Sequence, residues 1–518
     1  MSTTNTTAAR PPLAGMHLLL GTLALSLATF MNVLDTSIAN VSLPSIAGNL
    51  GASANQGTWV ITSFGVANAV SVPLTGWLTQ RLGAVRLFTA SVLLFVVTSW
   101  LCGFAPSLEA LIFFRILQGL VAGPMIPLSQ ALLLSTYPPQ RSGTALSLWA
   151  MTTLVAPVVG PVLGGWITDN YSWPWIFYIN IPVGLIAAAV TWAIYRHRET
   201  PTRKLPIDGI GLGLLVVWVG ALQVVLDKGK ELDWFNSATI VTLAIVSAVG
   251  FVLFLVWELT DEHPIIDLRL FSRRNFAIGT VTLSLAWLVY FGNVVLLPLW
   301  LQQYLGYTAT AAGFALAPVG VLAVLLSPLV GRVLPHVDPR WISTTSFVVF
   351  GIVLLMRAQF TPQVDQWSIG LPTFIQGAAV ACLFTPLLSV IISGLDPARI
   401  PSATGLTNFV RITAGAFGTS ITTTLWDHRA TLHHAHLTEA LTYAKPEVAD
   451  AGRTVATLGL NPQQTAALFS RFIDQQAFTR AADDIFLGSA LLFGTLIALV
   501  WFARPSRSQV VVDAGGAH

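Results

Sequence analysis

Long apolar stretches alternate with short polar loops along most of the chain. An apolar helix needs about 20 residues to cross the ~30 Å hydrocarbon core of a bilayer. Fourteen segments meet this requirement, so the pattern predicts an all-α polytopic membrane protein with 14 transmembrane helices. These segments begin near Leu18, Trp59, Leu87, Leu108, Ser142, Trp175, Ile207, Ala238, Phe276, Ala311, Trp341, Trp367, Ser402 and Ile485.

The composition also indicates a lipid environment. Of the 518 residues, 54% are hydrophobic and 9% are charged, whereas soluble domains average about 25% charged residues. The net charge of +3 is too small to indicate binding of nucleic acid. Both cysteines, Cys102 and Cys382, fall inside apolar segments, and we interpret them as free core thiols.

Basic residues are distributed unequally between the two ends of the predicted helices. Most Lys and Arg residues of the short loops lie on the side of the N terminus, among them Arg81, Arg141 and Arg198. The short loops of the opposite side hold only Lys228 and Lys230. Because basic loops remain in the cytoplasm, and because an even number of spans returns the chain to its starting side, both termini are predicted to be cytoplasmic.

One connection is much longer than the others. It covers about 427–483 on the outer side, and loops of this length are uncommon unless they have a function. Asn461 followed by Pro462 predicts a capped helix start. This helix is expected to run into the last span. Its apolar side chains, Leu468, Phe472 and Phe478, would contact a partner or the first half of the loop.

The chain contains an internal repeat. The sequence PLTG at 73–76 returns as PLVG at 328–331, and ILQG at 116–119 returns as FIQG at 374–377. The repeat predicts two related six-helix bundles, in residues 1–200 and 261–518, with an inserted helix pair in residues 201–260. Substrate sites of transporters built from repeats lie between the halves.

Four motifs follow one another on the predicted helices. They are LDTSIANVSLPSI from Leu34, GWLTQRLGAVRLF from Gly76, FFRILQGLVAG from Phe113 and APVVGPVLGGW from Ala156. Together they resemble the drug/proton antiporters of the major facilitator superfamily, in the fourteen-helix EmrB/QacA branch, over nearly the whole chain. The resemblance implies the major facilitator fold. It also implies proton-driven export of hydrophobic or amphipathic compounds from a bacterial inner membrane, with the proton as coupling ion and no other cofactor.

Within that branch, the long outer loop and the stretch TDNYSWPWIFYINIP resemble the EmrB-type subunits of tripartite efflux pumps. This implies a periplasmic adaptor of the membrane-fusion type and, through the adaptor, a TolC-like outer-membrane channel. Two alternatives stay open. One is a stand-alone exporter of drugs or fatty acids with the same fold, and the other is a receptor or scaffold that has lost transport.

Two charged residues within the spans are candidates for proton coupling. Asp35 is a lone carboxylate at the outer end of the first span, and ionisable residues at membrane depth usually have a function. Arg115, in the fourth span, would favour the ionised form of a nearby carboxylate. Movement of Arg115 relative to Asp35 would therefore load or release a proton. The alternatives are a hydrated carboxylate at a helix end and an arginine that only packs.

Further polar residues within the spans are candidates for substrate contacts. Arg411, in the thirteenth span, would bind an anionic substrate, pair with a carbonyl group or serve as a structural charge. The half that contains it has Thr373 at the position of Arg115. The other cavity candidates are Asn32, Gln118, Gln376 and Asn408.

The resemblance assigns two glycine-containing motifs. The antiporter motif of the fifth helix comprises Pro157, Gly160, Pro161, Gly164 and Gly165, in which small residues permit close packing and prolines bend the helix. The cytoplasmic loop motif retains Gly76, Arg81 and Gly83. Gln80 replaces the Asp that is usual in this motif, so a latch built on that carboxylate is not expected.

Signatures of other classes of protein are missing from the sequence. It has no G-x-x-x-x-G-K-[ST], H-E-x-x-H or G-x-S-x-G motif, so neither an ATP site nor an enzyme is expected. Four histidines lie close together on the outer loop, without a cysteine or a second spaced pair. We interpret them as a solvated cluster and expect no metal site at His428, His433, His434 and His436.

Overall fold

The computed structural model of the protein describes residues 13–52, 54–138, 141–203, 206, 208–261, 264–396, 399–440 and 461–504. Helices occupy most of these residues, which include no β-strand. We number the helices at the fourteen predicted spans α1 to α14. Their bounds are Gly15–Asn49, Trp59–Leu82, Ala84–Gly103, Leu108–Thr136, Ser142–Asn170, Trp175–Arg198, Gly209–Lys228, Ala238–Thr260, Arg274–Gln303, Ala311–Val333, Pro339–Arg357, Gln366–Ile392, Ile400–Ala440 and Pro462–Trp501.

Helices at all fourteen predicted positions confirm the predicted all-α fold. Twelve of them are long and apolar enough to cross a membrane. The other two are α5 and α13. Helix α13 carries polar side chains such as Thr404 and Asn408, and these contact the N-terminal half instead of lipid.

Helix packing follows the internal repeat. In the first half, α1 packs against α5 and α6, α2 against α4, and α3 against α4 and α6. Eight helices later, α9 packs against α13 and α14, α10 against α12, and α11 against α12 and α14. The intervening helices, α7 and α8, pack against each other, and α7 also contacts α2 and α13. The domain limits at residues 200 and 260 stay sequence-based predictions.

Two glycines related by the repeat bring corresponding pairs of helices together in the two halves. A Cβ atom on Gly119 would lie 2.4 Å from the carbonyl oxygen of Phe64. A Cβ atom on Gly377 would likewise lie 2.4 Å from the carbonyl oxygen of Val319. Neither contact has room for a side chain, so the backbones of α2 and α4, and of α10 and α12, can meet only at glycine.

Helix α4 is interrupted between Ala122 and Met125. Pro124 has no N–H to donate to the carbonyl of Leu120. That carbonyl instead accepts a hydrogen bond from Ser71 Oγ at 2.5 Å. Asn32 Nδ2 donates to the carbonyl of Ala122 at 3.2 Å. Asn32, predicted to face a cavity, thus supports the interruption of α4.

Helices α13 and α14 are about twice as long as a membrane span requires. They contain 41 and 40 residues, or about 60 Å each, against a hydrocarbon core of ~30 Å. The first part of the predicted loop, up to Ala440, is a continuation of helix α13. Residues 419–440 contain neither Gly nor Pro, so nothing in this stretch interrupts the helix. We call residues 427–440 and 461–483 the outer hairpin. Residues 441–460 lie outside the described part of the chain.

The base of the outer hairpin is packed, and an apolar side chain farther from the base is exposed. Trp426 Nε1 donates to the carbonyl of Phe478 at 2.9 Å, and Phe478 stacks on Tyr304 with 4.2 Å between ring centroids. Phe472, by contrast, is 58% exposed. The predicted helix start is confirmed: Asn461 Oδ1 accepts from Gln464 N, and Gln464 Oε1 accepts from Asn461 N, which is a capping box.

Candidate functional site

A buried polar cluster joins four helices of the N-terminal half. Asp35 of α1 is 2% exposed, and its Oδ2 lies 2.6 Å from Arg115 Nη1 of α4. Its Oδ1 accepts hydrogen bonds from Gln118 Nε2 at 3.2 Å and from Asn180 Nδ2 at 2.8 Å. Ser99 Oγ accepts from the same two amides. We call Asp35, Ser99, Arg115, Gln118 and Asn180 the Asp35 cluster.

The Asp35 cluster settles two questions that the sequence leaves open. Asp35 and Arg115 are in direct contact, and Asp35 is not a hydrated carboxylate at a helix end. The predicted candidate Gln118 belongs to the same cluster. Ser99 and Asn180 were not predicted, because they carry no charge. The signal that could have identified Asn180 is its position directly after an apolar aromatic run.

Arg115 is held by more than its ion pair. Its Nη1 also donates to Gln118 Oε1 at 2.6 Å, and its Nε donates to the carbonyl of Val60 at 3.0 Å. The guanidinium lies 4.2 Å from the ring centroid of Phe64. Breaking a buried ion pair by removing one partner costs about 3–5 kcal/mol, because the remaining charge is uncompensated. The charges of Asp35 and Arg115 therefore stabilise each other, and loss of either one destabilises the fold.

At the position that corresponds to Asp35, the C-terminal half has an amide instead of a carboxylate. The sequence GTLALSLA from Gly21 in α1 returns as GTVTLSLA from Gly279 in α9, which places Asn293 at the position of Asp35. Asn293 Nδ2 donates to Ser489 Oγ of α14 at 3.0 Å. A neutral amide thus occupies the place that the carboxylate occupies in the first half.

The C-terminal half also holds a buried arginine beside the glutamine of the repeat. Thr373 does occupy the corresponding position, but Arg357 of α11 reaches the same place. Arg357 is 1% exposed and donates to Thr373 Oγ1 at 3.1 Å and to Gln376 Oε1 at 2.6 Å. The arginine is supplied by α11 and not by α12. The sequence conceals this role because Arg357 ends an apolar run, where an interfacial residue is common.

A third polar group lies between the two halves. Arg411 Nη2 of α13 donates to Asn408 Oδ1 at 2.7 Å, and Asn408 Nδ2 donates to Gln130 Oε1 of α4 at 3.0 Å. The guanidinium of Arg411 lies 4.2 Å from the ring centroid of Trp287 and 5.4 Å from that of Phe384. The structure thus brings together two predicted candidates, Arg411 and Asn408. It adds Gln130, which the sequence did not single out.

Glycines of the antiporter motif bring α5 against α1 just beyond Asp35. A Cβ atom on Gly160 would lie 2.4 Å from Ser37 Oγ, and one on Gly164 would lie 3.1 Å from Ile38 Cγ2. A Cβ atom on Gly165 would meet nothing within 4 Å. The helix continues through Pro157 and Pro161, whose side chains are outside the described set.

This difference between neighbouring glycines gives a matched test. Gly160→Ala should reduce the transport rate about tenfold, because overpacking at a helix contact costs about 1–3 kcal/mol and about 1.4 kcal/mol corresponds to a factor of ten. Gly165→Ala should leave the rate close to wild type. The rates are compared at equal amounts of protein in the membrane. Equal rates for the two variants would show that the contact between α1 and α5 does not limit transport.

The loop between α2 and α3 is fixed by a carboxylate from just beyond α6. Gly83 has φ of +91°, which favours glycine. Glu199 accepts hydrogen bonds from the backbone N–H groups of Val85 at 3.0 Å and Arg86 at 2.9 Å, in the first turn of α3, where a negative charge is stabilised. Glu199 thus supplies a carboxylate to a loop in which Gln80 replaces the usual Asp. Within the loop motif, the guanidinium of Arg81 lies 5.3 Å from the ring centroid of Trp77.

The two halves touch at the end of the bundle where the chain enters. A Cβ atom on Gly76 would lie 2.3 Å from Ser402 Oγ and 2.9 Å from Ser402 Cα. Nearby, Thr404 Oγ1 donates to the carbonyl of Pro127 at 3.4 Å. Gly76 therefore allows α13 to lie directly on α2, which closes the halves against each other at this end.

Two of the four histidines of the outer hairpin take part in contacts between α13 and α14. His433 Nε2 lies 2.8 Å from Asp484 Oδ2, and His434 Nε2 lies 3.4 Å from Asp474 Oδ1. Arg429 also contacts Asp484, at 2.8 Å. Across the described ranges, no group of three or more His, Cys, Asp or Glu side chains is placed to hold a metal ion.

Comparison with known proteins places the chain among membrane transporters. The family model of the Major Facilitator Superfamily matches residues 25–419. The multidrug export protein EmrB of Escherichia coli K12 is 51% identical over 508 residues, which cover 98% of this chain and 99% of the relative. EmrB of Haemophilus influenzae is 52% identical, covering 96% and 97%. The fatty acid resistance protein FarB of Neisseria gonorrhoeae is 50% identical, covering 98% and 99%.

A solved structure shares the fold. The human organic anion transporter MFSD10 (TETRAN) superposes with a TM-score of 0.59 at 13% identity, covering 95% of this chain and 100% of the other. At this identity the likeness concerns the fold alone. The family match and the nearly full-length relatives show that the chain belongs to the major facilitator superfamily, in its EmrB/QacA branch.

Proposed function

We propose that the protein is a proton-driven antiporter that exports hydrophobic and amphipathic toxic compounds across a bacterial inner membrane. The observation that carries this proposal is the buried pair of Asp35 and Arg115, 2.6 Å apart. The names of the relatives agree with it, since two are multidrug export proteins and one is a fatty acid resistance protein.

The Asp35 cluster has the properties of a proton switch. Contact with Arg115 stabilises the ionised carboxylate, whereas a buried carboxylate without a cation prefers its neutral, protonated form. Separation of α1 from α4 would therefore load a proton onto Asp35, and renewed contact would release it. Asp35 lies 20 residues beyond the start of α1, or about 30 Å along the helix, so the proton would enter from the outer side.

Packing connects this switch to the interface between the halves. Helix α1 contacts α5 at Gly160, and α5 packs against α10 of the other half. A change at Asp35 that shifts α1 would thus be passed to the interface through α5. Aromatic residues at that interface, such as Trp149 and Phe384 with 5.4 Å between ring centroids, suit lipophilic substrates.

Transport by purified protein in liposomes tests the proposed function. Vesicles with an imposed pH gradient should accumulate a lipophilic dye against its concentration gradient, and collapse of the pH gradient should stop the accumulation. A protein that binds the dye but never accumulates it would favour the receptor or scaffold alternative.

We further propose that both termini face the cytoplasm and that the outer hairpin docks a periplasmic adaptor of the membrane-fusion type, which leads to a TolC-like outer-membrane channel. Two features support a docking role. Helices α13 and α14 are each about 30 Å longer than the bilayer core. Phe472, in the part of α14 that would lie outside the core, has an exposed aromatic ring. The alternative is a stand-alone exporter that needs no adaptor.

A pair of exposed phenylalanines tests docking. Phe472→Ser should reduce adaptor recovered by pull-down about tenfold or more, because aromatic anchors at interfaces contribute about 2 kcal/mol or more. Phe235→Ser, at a 72% exposed position in another outer loop, should leave adaptor recovery unchanged. Transport in liposomes, which needs no adaptor, should be normal for both variants. Wild-type adaptor recovery by Phe472→Ser and by a protein with residues 427–483 replaced by a short flexible linker would refute docking at the hairpin.

A further inference from the structure

Arg411 is a buried cation without a counter-ion. It is 7% exposed, and no carboxylate among the described residues lies within 4 Å of its guanidinium. Its hydrogen bond from Nη2 goes to the neutral amide of Asn408. An uncompensated buried charge is strongly unfavourable. Unlike Arg357, whose hydrogen bonds stay within one half, Arg411 is linked through Asn408 to Gln130 of the other half, where an anionic partner can reach it during the transport cycle.

Two hydrogen-bond donors next to Asn408 have no partner within the described part of the chain. Arg411 Nε and Gln130 Nε2 are both buried and unbonded, while Gln130 Oε1 and Asn408 Oδ1 already accept hydrogen bonds within the group. Unused N–H groups together with a positive charge match a carboxylate, which only accepts hydrogen bonds. They do not match a cation, and a neutral apolar molecule would leave them unsatisfied.

The group also lies where a transported molecule would pass. Gln130 belongs to the N-terminal half, and Asn408 and Arg411 belong to the C-terminal half. Trp287 and Phe384 lie within cation–π distance of the guanidinium. These aromatic rings provide an apolar surface directly beside the unpaired donors.

We infer that Gln130, Asn408 and Arg411 form a subsite for the carboxylate of an amphipathic acid, with the apolar body of the acid against Trp287 and Phe384. The inference rests on the proposed export function and deepens it. Arg411 is a residue that determines specificity: it gives an acid an advantage over a neutral compound with the same apolar body.

Arg357 provides a matched control, since it is the other deeply buried arginine of this half without a carboxylate within 4 Å in the described ranges. Its hydrogen bonds go to Thr373 and Gln376, and α11 packs against α12 and α14 of the same half. Arg357→Gln thus removes a buried cation without changing the subsite between the halves.

Calorimetric binding of decanoate and decanamide to purified protein at pH 7.5 tests the inference. Wild type should bind decanoate at least about tenfold more tightly than decanamide, as expected for charge-assisted hydrogen bonds. Arg411→Gln should remove this preference by weakening decanoate alone, and Arg411→Lys should retain part of it. Arg357→Gln should keep the wild-type ratio of affinities.

Two results would overturn the subsite: a preference for decanoate that survives in Arg411→Gln, or equal affinities of wild type for both compounds. Failure of the export function looks different. In that case wild-type protein accumulates no lipophilic dye in vesicles with a pH gradient, whatever it binds. A protein that accumulates the dye yet shows either of the two results retains its export function and lacks this subsite.

Discussion

Replacement of Asp35 by Asn is expected to reduce proton-driven export to the level of vesicles without protein. Asn has nearly the shape of Asp and can still accept a hydrogen bond from Asn180, but it cannot carry a proton. Movement of substrate down its own concentration gradient, which needs no proton, should continue. Loss of uphill transport with retained substrate binding is the signature of an uncoupled carrier.

The variant also leaves Arg115 without its counter-ion, which costs about 3–5 kcal/mol. The double variant Asp35→Asn/Arg115→Gln removes both charges and should recover thermal stability without recovering uphill transport. The measurements are thermal unfolding in detergent and dye accumulation in liposomes. Uphill accumulation at the wild-type rate by either variant would show that the coupling proton is carried elsewhere.

Replacement of Arg115 by Ala is expected to abolish transport and to lower stability by about 3–5 kcal/mol, because Asp35 then remains as an uncompensated buried charge. Arg115→Lys should retain part of both. Lysine keeps the positive charge but not the planar fork with which Arg115 reaches Asp35, Gln118 and the carbonyl of Val60 together.

The lysine variant separates this explanation from simple loss of packing, because lysine supplies the charge without the shape of arginine. Transport is measured by dye accumulation in liposomes and stability by thermal unfolding in detergent. Normal transport by Arg115→Ala, or equal losses in Arg115→Ala and Arg115→Lys, would make Arg115 a packing residue.

The fourteen helices were predictable because the bilayer imposes a simple rule on composition and length. The same rule exposed Asp35, Arg115 and Arg411, since a charge within an apolar span is costly and therefore conspicuous. Gln118 and Gln376 were found through the repeat. In these cases the chain itself carried the signal, and no knowledge of spatial neighbours was needed.

Other parts of the site depend on neighbours that the sequence does not reveal. Asn180, Ser99 and Gln130 are neutral, so they become notable only when helices from different parts of the chain bring a charge beside them. Glu199 was overlooked because it follows α6, yet it caps α3. The length of α13 was underestimated, because the polar residues beyond the membrane resemble a loop although nothing in them breaks a helix.

The repeat shows most clearly what the sequence conceals. Both halves contain a buried arginine beside a glutamine, Arg115 with Gln118 and Arg357 with Gln376. The arginines come from helices that do not correspond, and among the described residues only Arg115 is paired with a carboxylate. In the proposed mechanism the N-terminal cluster therefore changes charge by taking up a proton, whereas Arg357 and Gln376 offer no carboxylate for one.

The role of Asp35 is tested most directly by counting protons when purified protein binds a lipophilic substrate in weakly buffered solution. We expect wild type to release protons on binding, because substrate and proton compete for one alternating carrier. Asp35→Asn should bind the substrate without releasing protons. Proton release by Asp35→Asn equal to that of wild type would contradict the assignment of Asp35 as the carrier of the coupling proton.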